Sequence, residues 1–319
     1  MKYYMLAAAA LAFAACNNDD ENPANAPVEA RITAGVEGIT TRAYDNVWEQ
    51  DEIGVMVTAA PSSDMEDLYK NVKYTTEAET SSAATFTAET GKGIFFQDAS
   101  ETVTFAAYGP YQESAANALP GTDGVITGST ADQSTNDKQK AIDYIFASGA
   151  TASRGSSTVE FQGEHAFAHK MSRLVIIVKT SAEDGFTAQD ATSGTYTLIG
   201  LNLIGTFDVK TGVAKAIEEA GTGSFKWSLS DNSLKQLTET EQVTFTSILY
   251  PQKLGAPLTF EAVIDGQTYT NNTIQPDLAA GYSYTYTITV KKTGLTVSGC
   301  TIEDWKGDGN SYTGDATMQ

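Results

Sequence analysis

Over long stretches of this chain apolar and polar residues alternate one by one, a rhythm that restricts it to β-strands. Tyr282, Tyr284, Tyr286, Ile288 and Val290 fall on one face of an extended segment, and Ser283, Thr285, Thr287 and Thr289 on the other. Successive side chains of a strand point to opposite faces, so a period of two gives one buried and one solvated face. Leu258, Phe260, Ala262 and Ile264 repeat the pattern, and Asp265-Gly266 supplies a tight hairpin turn before Gln267 to Thr270. Val103, Phe105 and Ala107 do likewise, as do Ile53, Val55 and Val57. Leu174 to Val178 is apolar on both faces and reads as a central strand. Helical periodicity is scarce, with one short helix expected near Lys138 to Ile145. Strands recurring between Gly, Asn, Asp and Pro point to antiparallel β-sandwiches. The 319 residues suffice for two of them. The expected change of domain lies near Ala166, giving an N-terminal sandwich over 43–165 and a C-terminal one over 166–319. Gly121 to Asn136, polar and rich in Gly, Ser and Thr, reads as a long surface loop of the first.

The N-terminus is of another kind. Met1-Lys2-Tyr3-Tyr4 opens with one positive charge, and Met5 to Ala15 is an apolar run ending in Phe13-Ala14-Ala15-Cys16. A charged start, a run of this length and small residues before a cleavage point make a secretory signal over residues 1–15. The cysteine after the small pair resembles the lipobox of bacterial lipoproteins, with Phe13 where that pattern usually has Leu. The resemblance implies cleavage before Cys16 and lipidation of its new N-terminus, which anchors the chain to the outer membrane. The alternative is an ordinary signal peptide whose cleavage leaves an incidental Cys. Residues 16–27 follow as a polar tether, with Asn17 to Pro23 acidic and unable to bury a core. In surface lipoproteins of the Bacteroidetes a similar acidic cluster signals export to the outer leaflet; a plain acidic linker is the other reading.

Signals of chemistry are few. Lys and Arg number 20 against 40 Asp and Glu, a net charge of −20 that repels phosphate backbones and excludes nucleic acid as a partner. Beyond the signal, no apolar run approaches the ~20 residues a membrane helix needs. With Cys16 acylated, Cys300 has no partner and reads as a small buried hydrophobe beside Ile302. His165 and His169 are four apart. On a strand, that spacing separates them by about 13 Å, too far to share a metal, and no Glu lies between them to act as a base. They read as packing or hydrogen-bonding residues at the domain junction. Phosphate loop, dinucleotide fingerprint and nucleophile elbow are absent. No carboxylate pair stands out for glycoside hydrolysis, and Asp304 to Asp315 lacks the glycine and the closing Glu of a calcium loop. No catalytic residue, metal or cofactor is expected.

The suggestive feature lies at the start of the body. Val28, Ala30, Ile32, Ala34 and Val36 alternate with Glu29, Arg31, Thr33, Gly35 and Glu37, the pattern of a half-buried strand. Gly38 ends it and Ile39-Thr40-Thr41-Arg42-Ala43-Tyr44 follows. Arg42 is one of four arginines, with Arg31, Arg154 and Arg173. A cut after Arg42 would release residues 28–42 and leave an apolar groove with unpaired backbone, a template for a strand from another molecule. The plainer reading is an ordinary first strand followed by a surface arginine.

At this point several motifs, taken in order, resemble the fimbrillin-like family of the Bacteroidetes. They are Thr40-Thr41-Arg42-Ala43 with Trp48 and Asp51 to Val55, and Phe161 with His165 to Leu174. Gly205 to Asp208 with Thr211-Gly212-Val213 follows, then Tyr250-Pro251-Gln252, Ala280 to Tyr284, and Ile302 to Trp305. Glu52 departs from the family's more usual Gly-Asp order. The resemblance implies two tandem transthyretin-like β-sandwiches exported as a lipoprotein. It implies an Arg-specific surface protease cutting at Arg42-Ala43, and subunits of a fimbrium joined by donor-strand exchange. The tail after Trp305 offers only Tyr312, Ala316 and Met318 as apolar knobs, which favours a tip or accessory subunit. Two other classes compete: a non-polymerising surface lipoprotein that binds a glycan or host ligand through loops such as Gly121 to Asn136, and a surface hydrolase.

Overall fold

The computed structural model describes residues 27–36, 48–77, 81–187, 189–218, 226–239, 242–305 and 311–312. The alternating segments form strands. In chain order the first are β1 (Val28–Glu29), β2 (Arg31–Gly35), β3 (Glu52–Ala59), β4 (Val72–Thr75), β5 (Ala83–Phe86) and β6 (Phe95–Phe96). Then come β7 (Val103–Gly109), β8 (Val125–Ser129), β9 (Ile145–Ala152), β10 (Thr158–Phe161) and β11 (Ala168–His169). The second half continues with β12 (Ser172–Lys179), β13 (Thr195–Ile199), β14 (Ile204–Asp208), β15 (Val213–Ala216), β16 (Lys226–Ser228) and β17 (Leu234–Glu239). It goes on through β18 (Gln242–Leu249), β19 (Gln252–Lys253), β20 (Leu258–Ile264), β21 (Gln267–Ile274) and β22 (Asp277–Leu278). Last are β23 (Tyr282–Lys291), β24 (Gly294–Val297), β25 (Thr301–Asp304) and β26 (Ser311–Tyr312).

Two β-sandwiches result. In the first, a sheet of order β11-β9-β7-β3-β4 faces the shorter sheets β10-β2-β5 and β1-β6. Ile53, Val55, Phe105 and Ala107 from one side meet Ile32, Phe86, Val159 and Phe161 from the other, all with almost no exposure. In the second, β17-β18-β12-β23-β25-β26 faces β16-β13-β20-β21. Leu174, Ile176 and Val178 pack there with Phe245, Phe260, Tyr196 and Trp227. Burying apolar area on this scale, at about 25 cal/mol per Å², is what holds each pair of sheets together. Pairing is antiparallel except for β2 with β10 and β12 with β23, which run parallel. β12, apolar on both faces, is central as its composition requires. The Asp265-Gly266 hairpin forms with both residues at positive φ, 50° and 71°, the geometry that lets the turn follow the twist of β20 and β21.

Three local expectations change. Gly121 to Asn136 is not a free surface loop: β8 pairs along its whole length with β14 of the second half. The strand geometry expected for His165 and His169 holds only for the second: Gly163–His165 is a short 3₁₀ turn, and extended pairing resumes only at β11. The short helix spans Asn136–Lys140, begun by the Thr135 hydroxyl accepting from Lys138 N–H. Phe167 packs in the first core and β11 pairs with β9, while β12, next along the chain, pairs with β18 and β23.

The two halves share a third core. Tyr108, Tyr144 and Phe146 meet Met171, Phe207, Ile248, Tyr250 and Trp305, all buried. The Tyr144 and Phe207 rings stack at 4.5 Å with planes 8° apart. The arm after β8 is fastened by amides. Gln133, fully buried, donates to Thr130 O at 2.8 Å and Ile248 O at 2.9 Å, while its Oε1 accepts from Ile248 N–H at 2.6 Å. Gln139 donates to Thr246 O at 2.8 Å and to Gln133 Oε1 at 3.1 Å.

Candidate processing site and strand groove

The first strand is built into the middle of its sheet. Alternation buries Ala30, Ile32 and Ala34 and leaves Val28 and Val36 half-buried. The chain changes partner at Ala30, whose N–H bonds to Ile94 O at 2.8 Å. Before it, β1 pairs antiparallel with β6. After it, β2 lies between two strands. Arg31 to Ala34 match Thr158 to Phe161 of β10 in parallel register, and Ile32 to Gly35 match Phe86 back to Ala83 of β5 in antiparallel register. The five positions expected to form the removable strand are thus brought together, in two pieces.

Side chains and backbone beyond the sheet also depend on this strand. Trp48 donates its indole N–H to Ala34 O at 3.0 Å. Its ring meets Phe86 and Phe167 edge-on, with centroids 4.9 and 5.1 Å apart. Phe167 N–H donates to Gly35 O at 3.0 Å, and Val36 bridges Phe167 in parallel. Taking the strand away would open backbone donors and acceptors on β5 and β10 together, with Phe86, Val159 and Phe161 flanking a gap that faces the apolar side chains of the opposite sheet. That surface can be covered by another extended segment.

Of the described arginines Arg173 is buried, and Arg31 and Arg154 are held in hydrogen-bonded backbone, whereas a protease must draw its substrate into an extended strand of its own. Arg31 begins β2, matched to Thr158 of β10 with its N–H bonded to Ser157 O at 2.8 Å. Arg154 sits in a tight turn closed by Ser153 and Ser156, whose N–H groups bond to each other's carbonyls at 3.1 and 3.0 Å. Arg173 is buried in central β12, with Nε 2.9 Å from Ser283 Oγ and its guanidinium over the Trp305 ring. Arg42 and Ala43, like Cys16, lie outside the described residues.

The histidines are structural. His165 Nδ1 is 3.0 Å from Ser148 O. His169 is buried, with Nδ1 3.0 Å from Asp143 Oδ1 and its ring flat on Trp305, 4.1 Å between centroids and 4° between planes. Among the described residues no cluster of His, Cys, Asp and Glu is arranged to hold a metal. Near the end of the first strand a cleft of about 530 Å³, open mouth included, is lined by Val36, Trp48, Asp51, Glu52, Lys140 and His169, among others. Its charges are matched inside the protein: Lys140 pairs with Asp51 at 2.8 Å and Glu52 with Lys73 at 2.5 Å. Cys300 is buried in the second core, and burial pushes its thiol pKa up, against a reactive role. Sequence patterning missed the partners of the first strand, β5 and β10, and the stack of His169 on Trp305. Trp48 and Trp305 were visible only as landmarks.

Compared with known proteins, residues 41–305 match the family model described as fimbrillin-like. The chain belongs to the fimbrillin-like family. This fimbrillin-like chain is 31% identical over 313 residues to a protein of Bacteroides uniformis provisionally named fimbrium subunit Fim1C, covering 94% of each. A crystal structure of a provisionally assigned cell adhesion protein from Bacteroides ovatus superposes with a TM-score of 0.72 at 30% identity, over 88% of this chain and 98% of that one. A second, from Bacteroides uniformis, gives 0.65 at 26% identity, over 89% and 100%. The family is one of fimbrial subunits, which belong to the cell surface.

Proposed function

We propose that this fimbrillin-like chain is a fimbrial subunit that joins a neighbour by strand exchange after losing its own first strand. The precursor is lipidated at Cys16 and held at the outer membrane. An Arg-specific surface protease cuts Arg42-Ala43, residues up to Arg42 leave, and a strand from another subunit takes the place of Val28 to Val36. The observation that carries this reading is the position of β2, paired on both sides in mid-sheet. An N-terminal strand in that position leaves a two-sided groove when it goes. The hydrogen-bonded backbone around Arg31 and Arg154 and the burial of Arg173 support Arg42 as the bond that is cut. Within the fimbrium a tip or accessory place fits best, because the tail beyond Trp305 offers few apolar knobs to donate.

The decisive measurement is the N-terminal residue of the protein recovered from cell surfaces. Ala43 is expected from fimbriae, and lipidated Cys16 from the precursor. Arg42→Ala is expected to fold, stay lipidated and fail to enter fimbriae. Normal incorporation of that variant would overturn the proposal in favour of a non-polymerising lipoprotein or another route of assembly. Cys16→Ala is expected to abolish lipid labelling and membrane retention. For the tip assignment, chain starting at Ala43 is expected to stay monomeric when mixed with itself. Long polymers that vanish on deletion of Ser311 to Gln319 would make it a stalk subunit.

A further inference from the structure

The first strand and the last sheet segment are far apart in sequence, yet one short path of contacts links them. Phe167 N–H bonds to Gly35 O, and its ring is held by Trp48, whose indole is itself bonded to Ala34 O. Two residues on, His169 lies flat on Trp305. Trp305 directly follows β25, and its N–H bonds to Gly281 O at 2.7 Å, while Gly281 N–H bonds to Met171 O at 2.8 Å. β25 is otherwise held by β23 over Tyr282 to Thr285, and β26 pairs only with β25. The Trp305 ring is therefore the point at which the C-terminal end of the second sandwich touches a segment steadied by the first strand.

We propose that the His169–Trp305 stack is a latch coupling the first strand to β25, so that loss of the first strand loosens the C-terminal edge of the second sandwich. Loss of Gly35 and Ala34 strips Phe167 N–H and the Trp48 indole of their acceptors. The strand takes with it both the acceptors and part of the surface that buries these two residues, so Phe167 and Trp48 lose bonds and packing that fix their positions. Otherwise the segment Phe167 to His169 is held by the two-residue β11 pairing, by Phe161 against the Phe167 ring and by Asp143 on His169 Nδ1. His169 is itself poised to shift. Its Nδ1 has Asp143, but its buried Nε2 has no hydrogen-bond partner among the described residues. Opening the stack would let water reach that nitrogen. Arg173 beside the same indole gives Trp305 a second contact from the second sandwich, so the latch loosens rather than falls apart. The biological timing of this device rests on strand removal being the processing step; the coupling itself does not.

Energetic coupling between two sites is reciprocal, which supplies two independent tests. In the first, full-length chain is cut with an Arg-specific protease, cleavage is read by mass, and amide hydrogen exchange is followed before and after the strand is separated. Exchange in Thr301 to Trp305 is expected to quicken by about tenfold, with the β20–β21 hairpin unchanged. In the second, no cleavage is needed: Trp305→Ala in the uncut chain is expected to quicken exchange in Arg31 to Gly35, and Trp305→Phe, which keeps a stacked ring, to do so far less. Protection of the β20–β21 hairpin shows that each variant is folded. If Trp305→Ala leaves the first strand as protected as in the wild type, the coupling does not exist, whatever the protease does. Failure of Arg42 to be cut while the second test succeeds would instead remove the processing step and leave the latch standing.

Discussion

Ile32 offers a test in which the same substitution must matter in the uncut chain and not after a cut at Arg42. It is fully buried at the centre of β2, opposite Phe86 and Val159. Ile32→Ala removes three carbons, which at about 0.8 kcal/mol each is a transfer loss of roughly 2.4 kcal/mol. The cavity left between two paired strands adds to this, placing the total within the 2–5 kcal/mol seen for such truncations, at about 3 kcal/mol. For a sandwich of this size each kcal/mol lowers Tm by about 2–4 °C, so the uncut chain should melt roughly 6–12 °C earlier. After cleavage at Arg42 and separation of the released strand, wild type and variant are the same molecule and must melt together. Val159→Ala is the control, because β10 stays: it should lower Tm in both forms. Calorimetry on the four samples, with gel filtration to show that the strand has left, reads the outcome. An uncut Ile32→Ala chain as stable as wild type would refute the claim that β2 is a working member of the core.

Further outcomes follow from other parts of the fold. Gln133→Ala leaves the buried N–H and C=O of Ile248 without partners, at about 1–3 kcal/mol each, and should lower Tm and quicken exchange at Ile248; unchanged exchange there would mean the arm is not fastened as described. Burial raises the phenol pKa of Tyr74, Tyr108, Tyr196 and Tyr250. Their unfolded value is about 10, so the folded chain keeps protons that the unfolded chain loses; stability is complete below pH ~10 and falls as pH rises beyond it. Tyrosine absorbance at alkaline pH should therefore change together with unfolding seen by circular dichroism, and smooth titration of these tyrosines in a chain that stays folded would contradict their burial. Burial also disfavours the Cys300 thiolate, so in a Cys16→Ala chain a thiol reagent at pH 8 should label nothing until denaturant is added.

Much of this fold was legible because strands with one wet face write themselves as alternation. β3, β7, β20 and β23 could be read that way, and β12 by its double-sided apolarity. Even so, Tyr282 belongs to the pattern by sequence but is exposed, while Ser283 beside it is buried against Arg173. The arm over β8 was illegible for a physical reason. Its sequence, Val125-Ile126-Thr127-Gly128-Ser129, shows one apolar knob, Ile126, and a glycine where the next should be. Gly128 and its register partner Gly205 are both small because Tyr250 lies against them; a Cβ on Gly205 would sit 2.3 Å from its ring. Where a neighbour's ring fills the space, the missing side chain hides the strand. Gln133 and Gln139 hide the arm further, since buried amides that complete a strand's backbone look like surface residues to any hydropathy pattern. At the candidate site, Ala30, Ile32 and Ala34 were visible by alternation, but not the central place of their strand, which depends on β5 and β10 arriving from far along the chain.

That central place shapes what a replacement strand must be. Its backbone would have to run parallel to β10 and antiparallel to β5, which fixes direction. Its carbonyl at the register of residue 34 would meet the Trp48 indole and the next one Phe167 N–H, and any residue supplies a carbonyl. These backbone terms therefore give affinity without choosing a partner. Choice falls to the inward side chains, and here the first strand reads small, large, small: Ala30, Ile32, Ala34. An incoming strand with one branched aliphatic between two small residues fits the space as it stands. A bulky residue at either small position would overpack a filled core, at about 1–3 kcal/mol. The spacing of large and small residues along a candidate donor is thus the feature by which this groove would tell one neighbour from another.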